Sequence, residues 1–215
     1  MKKILVTGFD PFGGEPVNPA LEAVKQLNGK VIRGYEVITS EIPTVFGKAI
    51  TRLIEAIDEI NPDLVICVGQ AGGRSTITPE RVAINVDDAR IADNENNLPI
   101  DLEIVPSGPS AYFTNLPIKA MVKNMTENGI PASVSNTAGT FVCNHIFYGL
   151  MNYLDISGKG IRGGFIHIPF LPEQIVRNPG QPSMSLDLIV KGLELSIEAA
   201  ILNEKDLTVV GGEIC

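Results

Sequence analysis

Short uninterrupted apolar runs alternate along this chain with segments whose apolar positions recur every three or four residues. The runs read as strands buried on both faces, and the periodic segments as helices with one inner face. Lys3 to Thr7 predicts a first strand. Asn18-Pro19 predicts a helix start, with Asn18 as N-cap and Pro19 at the first helical position, running to about Leu27 before Asn28-Gly29. Val31 to Ile42 reads as extended. Thr44 is the expected cap of a second helix carrying Phe46, Ile50, Leu53, Ile57 and Ile60 on one face, ended by Asn61-Pro62-Asp63. Leu64 to Val68 predicts another buried strand.

Residues 70–116 break this rhythm with a polar stretch at Asp93 to Asn97 and prolines at 99, 106 and 109. They read as an insertion of short strands and long loops, including an extended Arg81 to Val86, and long loops in a compact domain are often functional. Pro117 then opens a helix with Ile118, Met121, Val122 and Met125 inward, and Ala132 to Ser135 reads as a strand. A helix runs from about Cys143 to Leu154, a strand from Gly163 to Ile168, and a Pro/Gly/Asn-rich loop covers 169–182. The last helix spans about Ser185 to Leu202, with Leu186, Ile189, Val190, Leu193, Ile197 and Ile201 inside. The βαβα order predicts one domain over 1–215, a three-layer α/β/α sandwich with a mostly parallel twisted sheet. Ligands of such sheets bind beyond the carboxyl ends of the strands, which gathers the loops 8–18, 69–79, 136–143 and 168–182.

Composition narrows the function classes. The net charge of −8 disfavours nucleic acid or an anionic membrane as partner, because both require clustered Lys and Arg. No apolar run approaches the ~18 residues of a spanning helix. The start, Met1-Lys2-Lys3-Ile4-Leu5-Val6-Thr7-Gly8, is too short in apolar residues for a signal-peptide core of roughly 7–15, so a cytoplasmic protein is expected. Three cysteines are an odd number, not a disulfide framework, and no Cys/His spacing resembles a zinc site. Cys67, inside Leu64 to Val68, reads as inert packing, while Cys215 at the last position reads as open to oxidation or cross-linking between chains.

Cys143 has a different context. In Asn136-Thr137-Ala138-Gly139-Thr140-Phe141-Val142-Cys143-Asn144-His145 a turn-prone stretch runs into a helix-patterned one. A cysteine at a helix start is offered unpaired N–H groups and the positive end of the dipole, which favour the thiolate. The expectation is a cysteine-dependent hydrolase with a histidine base. The chain has two histidines. His145 lies two residues on, about 200° around a helix from Cys143, and points elsewhere. His167, at the carboxyl end of an apolar strand before Pro169, is the remaining partner. Spacing alone does not choose the carboxylate that orients it: Glu80, Asp87 and Asp88 all stand near strand ends.

The glycine-rich runs pose a second reading. Gln70-Ala71-Gly72-Gly73-Arg74 follows a strand and has the makings of an anion nest, without the Lys-Ser/Thr ending of a P-loop. Phosphate-ester or nucleoside chemistry, and non-catalytic binding of small lactams or nucleosides, are the alternatives to the hydrolase.

Six ordered blocks resemble the pyrrolidone carboxyl peptidases, or type I pyroglutamyl peptidases. They are Gly8-Phe9-Asp10-Pro11-Phe12-Gly13-Gly14 with Asn18-Pro19; Gly69-Gln70-Ala71-Gly72-Gly73-Arg74; Pro79-Glu80-Arg81-Val82-Ala83-Ile84-Asn85; Asp88-Ala89-Arg90-Ile91-Ala92-Asp93-Asn94; Ala138-Gly139-Thr140-Phe141-Val142-Cys143-Asn144; and Gly164-Phe165-Ile166-His167-Ile168-Pro169-Phe170. The resemblance implies removal of an N-terminal pyroglutamate from peptides, with Cys143 as nucleophile, His167 as base and Glu80 as orienter. It implies no metal or organic cofactor and a homo-tetramer. A flat lactam without a charged amine suits an apolar slot from Phe9, Phe12, Phe141 and Val142, with amide groups from Gln70 and Asn18. Arg90 is expected near the oxyanion, or else in a surface ion pair. Phe141-Val142 stands where relatives often have Tyr-Leu, and Phe170 where Tyr is common, which touches substrate preference rather than chemistry.

Overall fold

The computed structural model describes residues 1–177 and 179–212; the expectation for Cys215 lies outside these. Three parallel strands form the centre: β1 (Lys2–Phe9), β4 (Leu64–Gln70) and β8 (Arg162–Ile168). Around them lie β2 (Val31–Ile32), β3 (Tyr35–Ile42) and β5 (Thr78–Pro79), giving the order β2-β3-β1-β4-β8-β5. β3 is also parallel, whereas β2 and β5 run antiparallel at the two edges. A separate ribbon pairs β6 (Val82–Ile84) with β7 (Ala111–Phe113).

Alternation along each strand sorts side chains into two cores. Ile4, Val6, Leu64, Ile66, Val68, Ile166 and Ile168 face one side. There they meet α1 (Pro19–Lys25), α3 (Ile118–Glu127) and α6 (Leu186–Leu202). Leu5, Val65, Cys67 and Phe165 face the other, against α2 (Lys48–Ile60) and α4 (Val142–Ser157). Helices therefore cover both faces of a mostly parallel sheet, as the βαβα order requires. The short helix α5 (Pro172–Ile175) lies in the loop after β8.

Several expectations are corrected. Val31 to Ile42 is a hairpin rather than one strand, because Arg33 and Gly34 take positive φ (48° and 83°) and reverse the chain. Thr44 does not cap α2. Its N–H binds Asp10 Oδ1 and its hydroxyl donates to Asp10 O, so α2 starts later, at Gly47 with φ +74°. Ala132 to Ser135 makes only isolated bridges, Ile77 with Ala132 and Glu80 with Ser135, instead of a strand. The insertion does contain short strands, but β7 was not expected. Asn18 does cap α1, accepting from Ala20 N at 3.0 Å, and Pro19 is the first helical residue. Among the described residues no helix is long and apolar enough to cross a membrane.

Candidate active site

The carboxyl ends of β4, β5 and β8 meet the start of α4. His167 shares the face of Phe165, two residues earlier, and its ring lies 4.8 Å from that ring. This is the face α4 covers. β5 runs antiparallel to β8 with Thr78 opposite His167. Two residues on, Glu80 stands across from Phe165, donating its N–H to Phe165 O at 2.9 Å, and projects toward the same face as Thr78. The result is a fully buried carboxylate whose Oε1 lies 2.7 Å from His167 Nδ1.

Arg74 completes this group. Its Nη1 donates to the same Glu80 Oε1 and to Thr78 Oγ1, both at 2.6 Å, and its Nη2 donates to Thr137 O at 3.0 Å. Burial raises the Glu80 pKa, but the hydrogen bond and charge of His167, with the charge of Arg74, outweigh it and leave the carboxyl below the ordinary value of 4.5. Glu80 is ionised, so His167 Nδ1 donates to it and Nε2 is the nitrogen left for chemistry. Sequence reasoning gave Arg74 only a phosphate-binding role. The guanidinium is instead engaged by Glu80, and the neighbouring carboxylate makes the Gly72-Gly73-Arg74 run a poor anion cradle.

Cys143 is the second residue of α4, after an N-cap at Phe141 that has no side-chain cap bond. The start of α4 is tied to the ribbon by the buried Asn144, whose Oδ1 accepts from Ile84 N and whose Nδ2 donates to Ile84 O and Val86 O. The sulfur lies directly over Gly69: a Cβ there would stand 2.9 Å from Cys143 Sγ and 2.7 Å from Phe165 Cζ. Gly69 is the register partner of His167 across β4 and β8. The absent side chain thus leaves room for the Cys143 sulfur beside the strand pair that carries His167. Among the described residues Sγ makes no hydrogen bond, a looseness common before substrate binds.

The thiol is not the resting thiolate that the helix start favours. Burial, and then the charge of Glu80, push it up to about 12, and Arg74 offsets this only in part. This upward push runs against the helix dipole, which is worth only about 0.3–1 kcal/mol in ordinary settings.

The remaining predicted residues divide into open and engaged groups. Phe12 and Phe141 are half-buried with ring centroids 6.1 Å apart, and Phe46, not expected here, stands edge-on to Phe141 at 5.4 Å. Phe9 lies in the core at 6.4 Å from Phe165, and Val142 is fully buried. The Asn18 amide serves the fold at both ends, capping α1 and donating to Asp10 O. Gln70 Oε1 accepts from Gln174 Nε2 at 2.9 Å. Arg90 is exposed and forms no ion pair among the described residues. His145 points away from Cys143 as the helix geometry requires and binds Asp87, which removes Asp87 as a partner of His167. Asp88 is exposed and joined to Thr140 through its backbone. Among the described residues no cluster of three or more His, Cys, Asp or Glu is arranged to hold a metal ion.

The profile of the pyroglutamyl peptidase family matches residues 2–203. The chain belongs to that family. A pyrrolidone-carboxylate peptidase of Clostridium perfringens is 62% identical over 213 residues, covering 99% of this chain and 100% of the relative. One from Bacillus cytotoxicus is 62% identical over 212 residues, covering 99% of each. The crystal structure of pyroglutamyl peptidase I from Bacillus amyloliquefaciens superposes with a TM-score of 0.95 at 54% identity, covering 97% of this chain and 99% of that one. A mutant pyrrolidone carboxyl peptidase from Pyrococcus furiosus superposes at 0.90 with 44% identity, covering 93% and 98%. Likeness over this length gives this chain the pyroglutamyl peptidase fold of the two solved structures.

Proposed function

We propose that this chain is a cysteine peptidase that hydrolyses the N-terminal pyroglutamyl residue from peptides, as a single catalytic domain. The observation that carries the reading is the buried Glu80–His167 pair at 2.7 Å, set beside a cysteine at an uncapped helix start. The thiol rests protonated, so His167 Nε2 takes its proton as Sγ attacks the pyroglutamyl carbonyl carbon. The S–C bond forms, and the carbonyl electrons move to an oxyanion facing the N–H groups at the start of α4. The C–N bond then breaks as the imidazolium returns its proton to the leaving amine. Water, deprotonated by His167, attacks the thioester and releases pyroglutamate and the free thiol. Glu80 stabilises the imidazolium, and Arg74 keeps Glu80 ionised.

Phe12 and Phe141 form the open part of the lactam slot in this reading, with Phe9 and Val142 supporting it from the core. Gln70 supplies polar contact at the end of β4. Asn18 acts through the β1–α1 loop it holds, and Arg90 lies free to reach the oxyanion side. No cofactor enters the sequence of steps. By family resemblance the protein works as a homo-tetramer in the cytoplasm, and light scattering on the purified chain measures the assembly.

The test is release of a chromogen from a pyroglutamyl anilide. Cleavage that disappears in Cys143→Ala and after iodoacetamide treatment is expected. A prolyl anilide, which leaves the lactam-binding groups unpaired, should be cut about 10⁴-fold less efficiently. Full activity in Cys143→Ala overturns the assignment.

A further inference from the structure

The mechanism leaves one buried imidazole–carboxylate pair unused. His145 and Asp87 are 5% and 6% exposed, and their Nδ1 and Oδ2 lie 2.8 Å apart. On its other side His145 Nε2 lies 2.8 Å from Gly47 N. A backbone N–H can only donate, so Nε2 accepts, and the imidazole proton is on Nδ1 and donated to Asp87. The pair is thus a fixed acceptor aimed at the turn that precedes α2. A buried ionic group is a weak source of stability compared with a well-packed apolar one. Its geometry indicates what it holds instead.

It holds Phe46. The N–H of Phe46 donates to Asp93 Oδ2 at 2.9 Å, and the next N–H, that of Gly47, donates to His145. Two successive backbone donors are therefore anchored on two different segments outside the turn. Gly47 has φ +74° and, lacking a side chain, offers α2 no side-chain cap. The Phe46 ring stands between the imidazole at 5.3 Å and Phe141 at 5.4 Å, edge-on to both. Phe141 in turn faces Phe12. Moving the imidazole moves Phe46, and moving Phe46 changes the width of the aromatic slot next to Cys143.

We propose that His145, locked by Asp87, is a positioning residue for lactam recognition: through Gly47 and the Phe46 ring it sets the width of the slot that admits a flat five-membered lactam. The proposal rests on the peptidase reading for the identity of the ligand. A thin planar ring is selected by slot width, and a methylene-scale change in such a pocket is worth about 10–200-fold.

The test reads slot binding without turnover. Cys143 in the full chain is alkylated with iodoacetamide, and the 2-pyrrolidone concentration that halves the rate is measured. His145→Gln and Phe46→Ala should each raise it about ten-fold, with the double variant no worse than either, because the two act through one element. The alkylation rate without 2-pyrrolidone should stay within about two-fold of the parent, since iodoacetamide does not need the slot. An unchanged half-protecting concentration in His145→Gln, or losses that multiply in the double variant, overturns the proposal. If His145→Gln fails to fold, Asp87→Asn with and without Phe46→Ala reads the same coupling, and additive effects there also overturn it. Absence of protection in the parent chain overturns the proposal outright. Protection without anilide cleavage overturns the peptidase reading alone.

Discussion

Gly69→Ala adds one methyl group against the Cys143 sulfur and the Phe165 ring. The new Cβ would stand 2.9 Å from Cys143 Sγ and 2.7 Å from Phe165 Cζ, where ordinary contact begins at 3.4 Å. The sulfur must therefore retreat by about 0.5 Å and the ring by about 0.7 Å. Phe165 has little room to yield, with Phe9, Phe147 and His167 rings at 6.4, 6.0 and 4.8 Å. Strain shared among these should cost about 1–3 kcal/mol of stability. A displacement approaching 1 Å at reacting atoms costs about 100-fold in rate, so kcat/KM on a pyroglutamyl anilide should fall by about that factor, mainly through kcat. The fall should persist at temperatures where circular dichroism shows the variant folded. A folded Gly69→Ala enzyme with kcat/KM within about three-fold of the parent would refute the claim that Gly69 leaves needed room for the Cys143 sulfur.

Other outcomes follow from the same geometry. Arg74→Gln should lower kcat/KM by at least about ten-fold, because charge-assisted bonds to a buried carboxylate are worth about 1.5–3 kcal/mol, and Arg74→Lys should restore part of it. Glu80 has a folded pKa below the ordinary 4.5, so its ionised form stabilises the fold above its unfolded pKa, and this is lost as pH falls through the depressed folded value. Melting temperature followed downward from pH 5 should drop less steeply in Glu80→Gln than in the parent; equal slopes would count against the assignment. With a resting thiol pushed up to about 12, Cys143 alkylation should rise with pH without a plateau near neutrality, and a plateau at pH 6–7 would indicate a preformed thiolate–imidazolium pair. Asn18→Ala should cost about 1 kcal/mol through loss of the α1 cap, seen as a lower melting temperature.

The parts of this molecule legible in its sequence are those governed by local rules. β1, β4 and β8 are uninterrupted apolar runs, and the Asn18-Pro19 start of α1 is a local hydrogen bond plus a fixed φ. Cys143 and His167 stand out as candidates because a helix start and a strand end are both visible in residue types. The misses are non-local. Thr44 looked like a cap because nothing in its neighbourhood reveals that Asp10, 34 positions away, takes its N–H and hydroxyl. Arg33 gave no sign of its positive φ, since only the adjacent Gly34 carries a turn signature. Glu80 is buried against His167 only because β5 adds to the far edge of β8 across 87 residues of sequence. Spacing cannot supply that; the resemblance to a known family named it. Gly69 had a weak signal, a glycine closing an apolar strand beside the strand that ends in histidine, which goes unnoticed until the register pairs them.

Cys143 belongs to a helix, whereas His167 belongs to the sheet beneath it and Glu80 directly follows the sheet's edge strand. In the proposed mechanism the reacting atoms are therefore mounted on two separate layers, and the apolar filling between α4 and β8, where Phe147 and Phe165 meet, sets their separation. Turnover becomes a gauge of that separation. Warming or dilute denaturant that swells the filling should silence the enzyme while helices and strands are still intact, so loss of activity would report the first loosening of the core well ahead of its collapse.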